Sequence, residues 1–201
     1  QGKLLHEMLP IEEERGLNRL PKPSKGDLYF DIEGDHFYPN GGIEYLFGTS
    51  YNENGSTKYK EFWAYDHYEE KQAFAKWMQW ILQKWEEDPD MHIYHYGHYE
   101  TSAIKRLASR HATMEAEVDD LLRAHVFVDL LSVTKEALQA SVESYSLKEI
   151  EPFGNYNRKT DLREARISRL KFAKELELGD ARSLDKSIIS TIEDYNKDDC
   201  L

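Results

Sequence analysis

Asp27-Leu28-Tyr29-Phe30-Asp31-Ile32-Glu33-Gly34-Asp35 is the stretch on which the reading of this chain turns. Leu28, Phe30 and Ile32 alternate with Tyr29, Asp31 and Glu33, the two-residue period of a β-strand. One face of that strand is apolar and must meet a covering layer. The other carries two carboxylates that point the same way. Neighbouring acids repel each other, and a fold tolerates them best with a cation between them. A half-exposed edge strand with a solvated acidic face is the plainer alternative, and two acids alone do not choose between the two.

Downstream, Gly34, Pro39, Asn40, Gly41 and Gly42 mark a loop. Ile43 to Tyr51 reads as a second strand, Asn52-Glu53-Asn54-Gly55 as a hairpin turn, and Thr57 to Ala64 as a third strand. Three strands joined so closely should be antiparallel. Phe74, Trp77, Met78, Ile81, Leu82 and Trp85 fall at helical spacing, with a capping box at Asp66 and Glu69 before them and Pro89 after. Met91 to Tyr96 is a short strand. Ala103, Ile104, Leu107 and Ala108 mark a helix, and Val126 to Asp129 a fifth strand. Only helices are expected beyond it: near 130–140, a turn at 146–151, near 161–175, and from 183 to the end. The fold expected is α/β, a five-stranded mixed sheet with its first three strands antiparallel, flanked by helices.

Upstream, residues 1–26 are polar and end in Leu20-Pro21-Lys22-Pro23-Ser24-Lys25-Gly26, which reads as a linker or N-terminal extension to one domain over 27–201. A helical pattern runs on to the last residue, Leu201, so the 201 residues read as a fragment of a longer protein. The formal net charge is -12, from 26 Lys and Arg against 38 Asp and Glu. That weighs against a passive nucleic-acid coat, whose affinity comes from cations on phosphates. It does not weigh against carboxylates that hold metal ions. With one cysteine, Cys200, no internal disulfide can form, and a reducing, cytoplasmic setting is expected. No apolar stretch is long enough to span a membrane, and no signal-peptide pattern opens the chain.

Two further elements carry chemistry. Ile188, Ile192, Tyr195 and Asp199 step by four, three and four, so they share one helix face. A core-facing stripe that ends in a carboxylate needs a reason, because an unpaired buried charge is costly. Binding the cation held by Asp31 would supply one. A solvated helix end is the alternative, although acids there oppose the helix dipole. The other element, Tyr94-His95-Tyr96-Gly97-His98-Tyr99-Glu100, ends the fourth strand, where an α/β sheet usually places function. Glu100 also suits the first turn of a helix for reasons of dipole alone.

Taken together, these segments resemble the ribonuclease H-like exonuclease superfamily with four acids in three motifs. Asp31-Ile32-Glu33 matches its Asp-x-Glu motif. Tyr195-Asn196-Lys197-Asp198-Asp199 matches the tyrosine form of its third motif, Tyr-x-x-x-Asp; the histidine form would need His where Asp194 stands. More narrowly, the chain resembles the RNase H-like domain of RecB-family nuclease and helicase proteins. That likeness adds Glu44 to Gly48, Tyr96 to Glu100, Val128-Asp129-Leu130 and Ser144-Tyr145-Ser146-Leu147-Lys148, and runs from about residue 16 to the end. One departure stands out: Glu100 occupies the place where the second motif normally has Asp.

The resemblance implies a metal-dependent nuclease that hydrolyses phosphodiester bonds with two divalent cations, Mg²⁺ or Mn²⁺. In that picture Asp31 bridges both ions, Glu33 and Asp199 hold the first, and Glu100 supports the second directly or through water. Tyr195 orients the attacking water, and the metal lowers its pKa. The favoured activity is 3′–5′ exonuclease action on single-stranded DNA, with DNA preferred to RNA. Other domains of a parent nuclease or helicase would be its partners. A catalytically degenerate module that holds nucleic acid or a partner domain is the competing reading, and a structure-specific endonuclease or ribonuclease a third.

Remaining features are weighed individually. His92, His95 and His98 recur every three residues, but a strand splits His92 from His95, so zinc is disfavoured. His98 is a candidate substrate contact near Glu100. Asp129 reads as a helix N-cap. The segment 158–174 sets seven cations against two acids, and makes Arg163, Arg166 and Arg169 candidate phosphate contacts or else a solvated helix face. The four tryptophans read as core.

Overall fold

The computed structural model describes residues 5–154 and 156–201. The chain enters through a short strand β1 (His6–Met8) and a 3-10 turn (Gly16–Arg19). It then builds β2 (Leu28–Asp35), β3 (Ile43–Glu53), β4 (Ser56–Trp63), α1 (His67–Glu87), β5 (Ile93–His95), α2 (Tyr99–His111), α3 (Glu115–Arg123) and β6 (Phe127–Asp129). The last part comprises α4 (Leu130–Ala137), β7 (Leu138–Ala140), α5 (Leu147–Ile150), α6 (Leu162–Leu178) and α7 (Lys186–Asp199). Five strands form one mixed sheet in the order β4-β3-β2-β5-β6. β2 with β3 and β3 with β4 pair antiparallel, while β5 and β6 run parallel to β2. This is the α/β architecture expected of a ribonuclease H-like fold.

Strand alternation sorts the side chains of β2 as its pattern requires. Leu28, Phe30 and Ile32 are buried against Trp77, Ile81, Ile104 and Leu107 from α1 and α2. Trp77 is wholly enclosed, and its indole N–H donates to Thr49 Oγ1 at 3.0 Å, so the polar end of the ring is satisfied too. A second core, with Tyr45, Leu46, Phe172, Leu176 and Ile192, packs α6 and α7 on the sheet. The β3–β4 hairpin turns at Asn54 and Gly55, both with positive φ (52° and 77°), as a two-residue turn of this twist demands. Asp66 caps α1 by accepting from the Glu69 N–H at 2.8 Å, and Glu69 accepts in return from Tyr65 N–H at 3.1 Å. Asp129 caps α4, accepting from the N–H of Leu131.

Three elements depart from the sequence reading: α3, β7 and β7's partner β1. Helix α3 has no counterpart in that reading, although Val118, Leu121 and Leu122 fall at helical spacing within a short, mainly acidic stretch. β7 corrects the expectation of helices only after Asp129. Leu138–Ala140 pairs antiparallel with His6–Met8, a partner too distant in sequence to leave a local signal. That pairing also fixes the N-terminal extension. The extension is held as well by Gly16 N–H donating to Glu136 at 2.9 Å and by the Arg19–Glu136 ion pair at 3.0 Å.

Candidate functional site

β2 and α7 meet at the acids. Asp31, Glu33 and Asp199 each offer a carboxylate oxygen within 4.8 Å of the others, and no other group of three possible ligands does so among the described residues. The approach depends on Gly48, which lies opposite Asp31 on β3. A Cβ at residue 48 would overlap Asn196 Oδ1 and crowd the Tyr59 hydroxyl. Only glycine therefore lets α7 come this close. Asn196, fully buried, uses the space: its side-chain N–H donates to Asp31 Oδ2 at 2.8 Å, and its Oδ1 accepts from Tyr59 OH at 2.8 Å. The chain of bonds from Tyr59 fixes the Asp31 carboxylate. Beside Glu33 the β2–β3 register slips: Leu46 opposes Glu33 and Glu44 opposes Gly34, which leaves Tyr45 as an extra residue. Such bulges re-aim side chains at strand ends.

Glu100, in the first turn of α2, completes the group. It lines a cavity of about 270 Å³ together with Asp31, Glu33, Asp199, Tyr195 and Arg169. The residue is buried, and its Oε2 has no hydrogen-bond partner. His95 Nδ1 stands 3.5 Å from that oxygen, but is committed to the carbonyl of Gly97 at 2.6 Å. A buried carboxylate oxygen without a donor is costly unless something else binds it.

Three cations surround the acids. Arg169 Nε lies 2.9 Å from Glu33 Oε2 and Lys148 Nζ lies 3.2 Å from Asp199 Oδ2. Arg158 bonds Asp199 Oδ1 and is itself held by Glu151, with its Nε 2.8 Å from Glu151 Oε2. All three stand over the Tyr195 ring, at 4.9 Å for Lys148, 5.2 Å for Arg169 and 5.5 Å for Arg158. Burial, then Glu33, Asp199 and Glu100, push Asp31 well above the usual carboxylate range against the pull of Lys148. Burial pushes Glu33 up to about 7, opposed by Arg169 and reinforced by Asp199. Burial and Asp199 raise Tyr195, so the phenol keeps its proton at neutral pH and can only donate a hydrogen bond or accept one.

The neighbouring acid Asp198 faces elsewhere. Its Oδ1 accepts from Tyr156 OH at 2.9 Å, and its Oδ2 accepts from the N–H groups of Lys159 and Thr160 at 3.1 and 2.9 Å. Asp198 thus anchors the loop that carries Arg158, while Asp199 faces the cluster.

The structure therefore brings together Asp31, Glu33, Glu100, Tyr195 and Asp199, with Arg169 among them. Arg163 and Arg166 lie exposed on α6, and neither lines the acid cavity. His98 is exposed just before α2 and does not line it either. His92 sits 3.6 Å from Asp27, apart from His95. Sequence reasoning assigns no role to Asn196 or Lys148, and counts Arg158 only within the basic segment 158–174, not as a partner of Asp199. Asn196 and Lys148 stand inside matching segments, but a lone amide or lysine announces no chemistry there.

A family model of the RNase H superfamily matches residues 28–201. The chain belongs to the RNase H superfamily. Neither the curated proteins nor the solved structures searched gave a match. RNase H-like proteins generally hydrolyse phosphodiester bonds of nucleic acid and use divalent metals to do so. The residues here fit such ions: the donors are carboxylate oxygens, those of Asp31, Glu33 and Asp199 crowd within 4.8 Å of one another, and one Glu100 oxygen is orphaned. Among the described residues no helix is long and apolar enough to cross a membrane.

Proposed function

We propose that this domain is a nuclease of the tyrosine-type four-acid group, acting as a 3′–5′ exonuclease on single-stranded DNA with two Mg²⁺ or Mn²⁺ ions. The observation that carries the reading is the convergence of Asp31, Glu33 and Asp199 within 4.8 Å, with Glu100 and Tyr195 on the same cavity wall. Asp31, Glu33 and Asp199 would hold one ion, and Asp31 with Glu100 the other. Bound divalent cations polarise the scissile phosphate and acidify the attacking water. The protein supplies the rest. Asn196 and Tyr59 lock Asp31 in place, so its carboxylate is oriented before substrate arrives. Tyr195 keeps its proton and orients the water by hydrogen bond, without acting as a base. Arg169, standing between Glu33 and the Tyr195 ring, is placed to meet a phosphate oxygen. On this reading the domain works beside other domains of a RecB-type nuclease or helicase in the cytoplasm.

The test is digestion of 3′- and 5′-end-labelled single- and double-stranded DNA and RNA with Mg²⁺ or Mn²⁺, comparing the wild type with Asp31→Asn. Stepwise loss of mononucleotides from the 3′ end of single-stranded DNA, absent in the variant, is expected. One observation favours a second reading, a non-cutting module: Lys148 and Arg158 already pair with Asp199, and Arg169 with Glu33. A wild type that binds the same DNA but neither cleaves it nor responds to metal would establish that reading.

A further inference from the structure

We infer that a nucleic-acid strand leaves the acids through a second cavity, between α4 and residues 144–148, where Lys148 and Lys135 grip its phosphates. This rests on the nuclease reading above and adds the path of the substrate backbone. The cavity, about 450 Å³, shares Asp31 and Asp199 with the acid site, so a chain held at the carboxylates can continue into it. Beyond the two shared carboxylates, its polar lining includes Lys135, Lys148, Ser144 and Ser146, cations and hydroxyl donors of the kind that meet phosphate oxygens. Lys148 stands at the inner end, 3.2 Å from Asp199. Were Asp199 to hold a divalent cation, Lys148 would be free to turn its ammonium group toward a phosphate. Lys135 stands at the outer end, exposed and in no ion pair among the described residues. By contrast, Arg163 and Arg166 line neither this cavity nor the acid pocket. The basic run of α6 is conspicuous in sequence, but only its Arg169 reaches the acids; Lys148 adjoins them too, and Lys135 extends the line of cations outward along this cavity.

Binding of a fluorescent single-stranded oligonucleotide, with Ca²⁺ in place of Mg²⁺ to suppress cleavage, tests the path across a salt series. Lys135→Gln should lower the slope of log affinity against log salt by about 0.7, and Lys135→Gln/Lys148→Gln by about twice that. The Mn²⁺-induced rise in Tm should be unchanged in Lys135→Gln, and Arg163→Gln/Arg166→Gln should keep the wild-type slope. If the wild type binds and responds to Mn²⁺ but both lysine variants keep its slope, the path is wrong and the nuclease reading stands. A slope that falls only in the Arg163/Arg166 variant moves the path to α6. A wild type that neither binds the oligonucleotide nor gains Tm with Mn²⁺ overturns path and nuclease reading together.

Discussion

Two groups of buried acids lie within this fold, and they are built in opposite ways. Around Glu70, fully buried in α1, every acceptor is used. The Glu44 N–H donates at 2.6 Å, His111 Nε2 lies at 2.7 Å, and His67 and Arg110 both lie at 3.3 Å. Glu44 beside it accepts from Tyr99 OH at 2.9 Å and pairs with Arg106. Around Asp31 the acids face one another across a cavity: Arg169 pairs with Glu33, and Lys148 and Arg158 with Asp199, but Asp31 has one side-chain donor and Glu100 Oε2 has none. Glu33 and Glu100 are buried about as deeply as Glu70 and Glu44, so burial alone does not separate an acid that braces the fold from one that waits for a ligand. The count of donors does. A satisfied cluster behaves as structure, and a mutually repelling, under-donated one behaves as a receptor for positive charge.

If that contrast is sound, Asp31→Asn and Glu70→Ala should fail in different assays. Asp31→Asn should abolish cleavage, a loss on the order of a thousandfold or more, as expected for a group that binds the reacting ions. It should also remove the metal-induced rise in Tm. At an ion concentration a hundred times Kd, that rise corresponds to roughly 2.7 kcal/mol in the wild type. Metal-free stability should not fall, because the variant relieves repulsion and its amide oxygen can still accept from Asn196. Thermal melts with EDTA and with Mn²⁺ give both numbers. A variant that melts well below the wild type in EDTA would return Asp31 to the structural class.

Glu70→Ala should do the reverse. It strands His111 and the Glu44 N–H without an acceptor and removes the carboxylate beside Arg110, which keeps the Gly41 and Gly42 carbonyls, a loss of about 3–5 kcal/mol by analogy with breaking one side of a buried ion pair. Urea denaturation measures it, and cleavage by the surviving folded fraction should stay near wild type. Next in size comes Tyr195→Phe. It keeps the ring under Lys148, Arg158 and Arg169 but deletes the hydroxyl. Turnover should fall about tenfold to a thousandfold, the range for losing one positioned catalytic group. The Mn²⁺-induced Tm rise should stay intact. Wild-type turnover in Tyr195→Phe would end the water-orienting role while sparing the metal site.

The sequence exposes these two acid clusters unequally. Asp31 and Glu33 are legible because strand alternation puts both on one face, and Tyr195 and Asp199 because helical spacing does the same. Glu44 and Glu70 offer no such pattern, since their partners His111, Arg106 and Arg110 come from α2, far along the chain. The five-strand sheet is readable for the same local reason, whereas the β1–β7 pair is not: three residues and a remote partner leave no period to detect. Asn196 marks the limit within the site itself. Its place in the third motif is visible, but its bond to Asp31 follows from the absence of a side chain at Gly48, a property of two strands and a helix together.

The smallest effect tests the bracing cluster by its sign. Burial raises Glu44 above its usual value, although the Tyr99 hydrogen bond and Arg106 both oppose the rise and Glu70 adds to it. A carboxyl with a raised folded pKa keeps its proton more tightly when folded than when unfolded. Between the unfolded pKa, near 4.3, and the raised folded one, the native state therefore binds more protons, and stability falls as pH rises. Below that window both states are protonated, and above it both are ionised, so the contribution is flat on either side. Asp31 and Glu33 give slopes of the same sign in metal-free protein, which is why the wild-type curve alone decides nothing. The difference between wild type and Glu44→Gln isolates this one group, because the amide that replaces the carboxyl carries no titrating proton. In EDTA, urea melts across pH 4–8 should show the wild type losing ground to Glu44→Gln as pH rises, then running parallel to it. If the wild type gains on the variant instead, Arg106 and Tyr99 outweigh burial, and Glu44 is a net stabilising ion pair. That outcome would widen the contrast with Asp31, whose neighbours are mostly other acids.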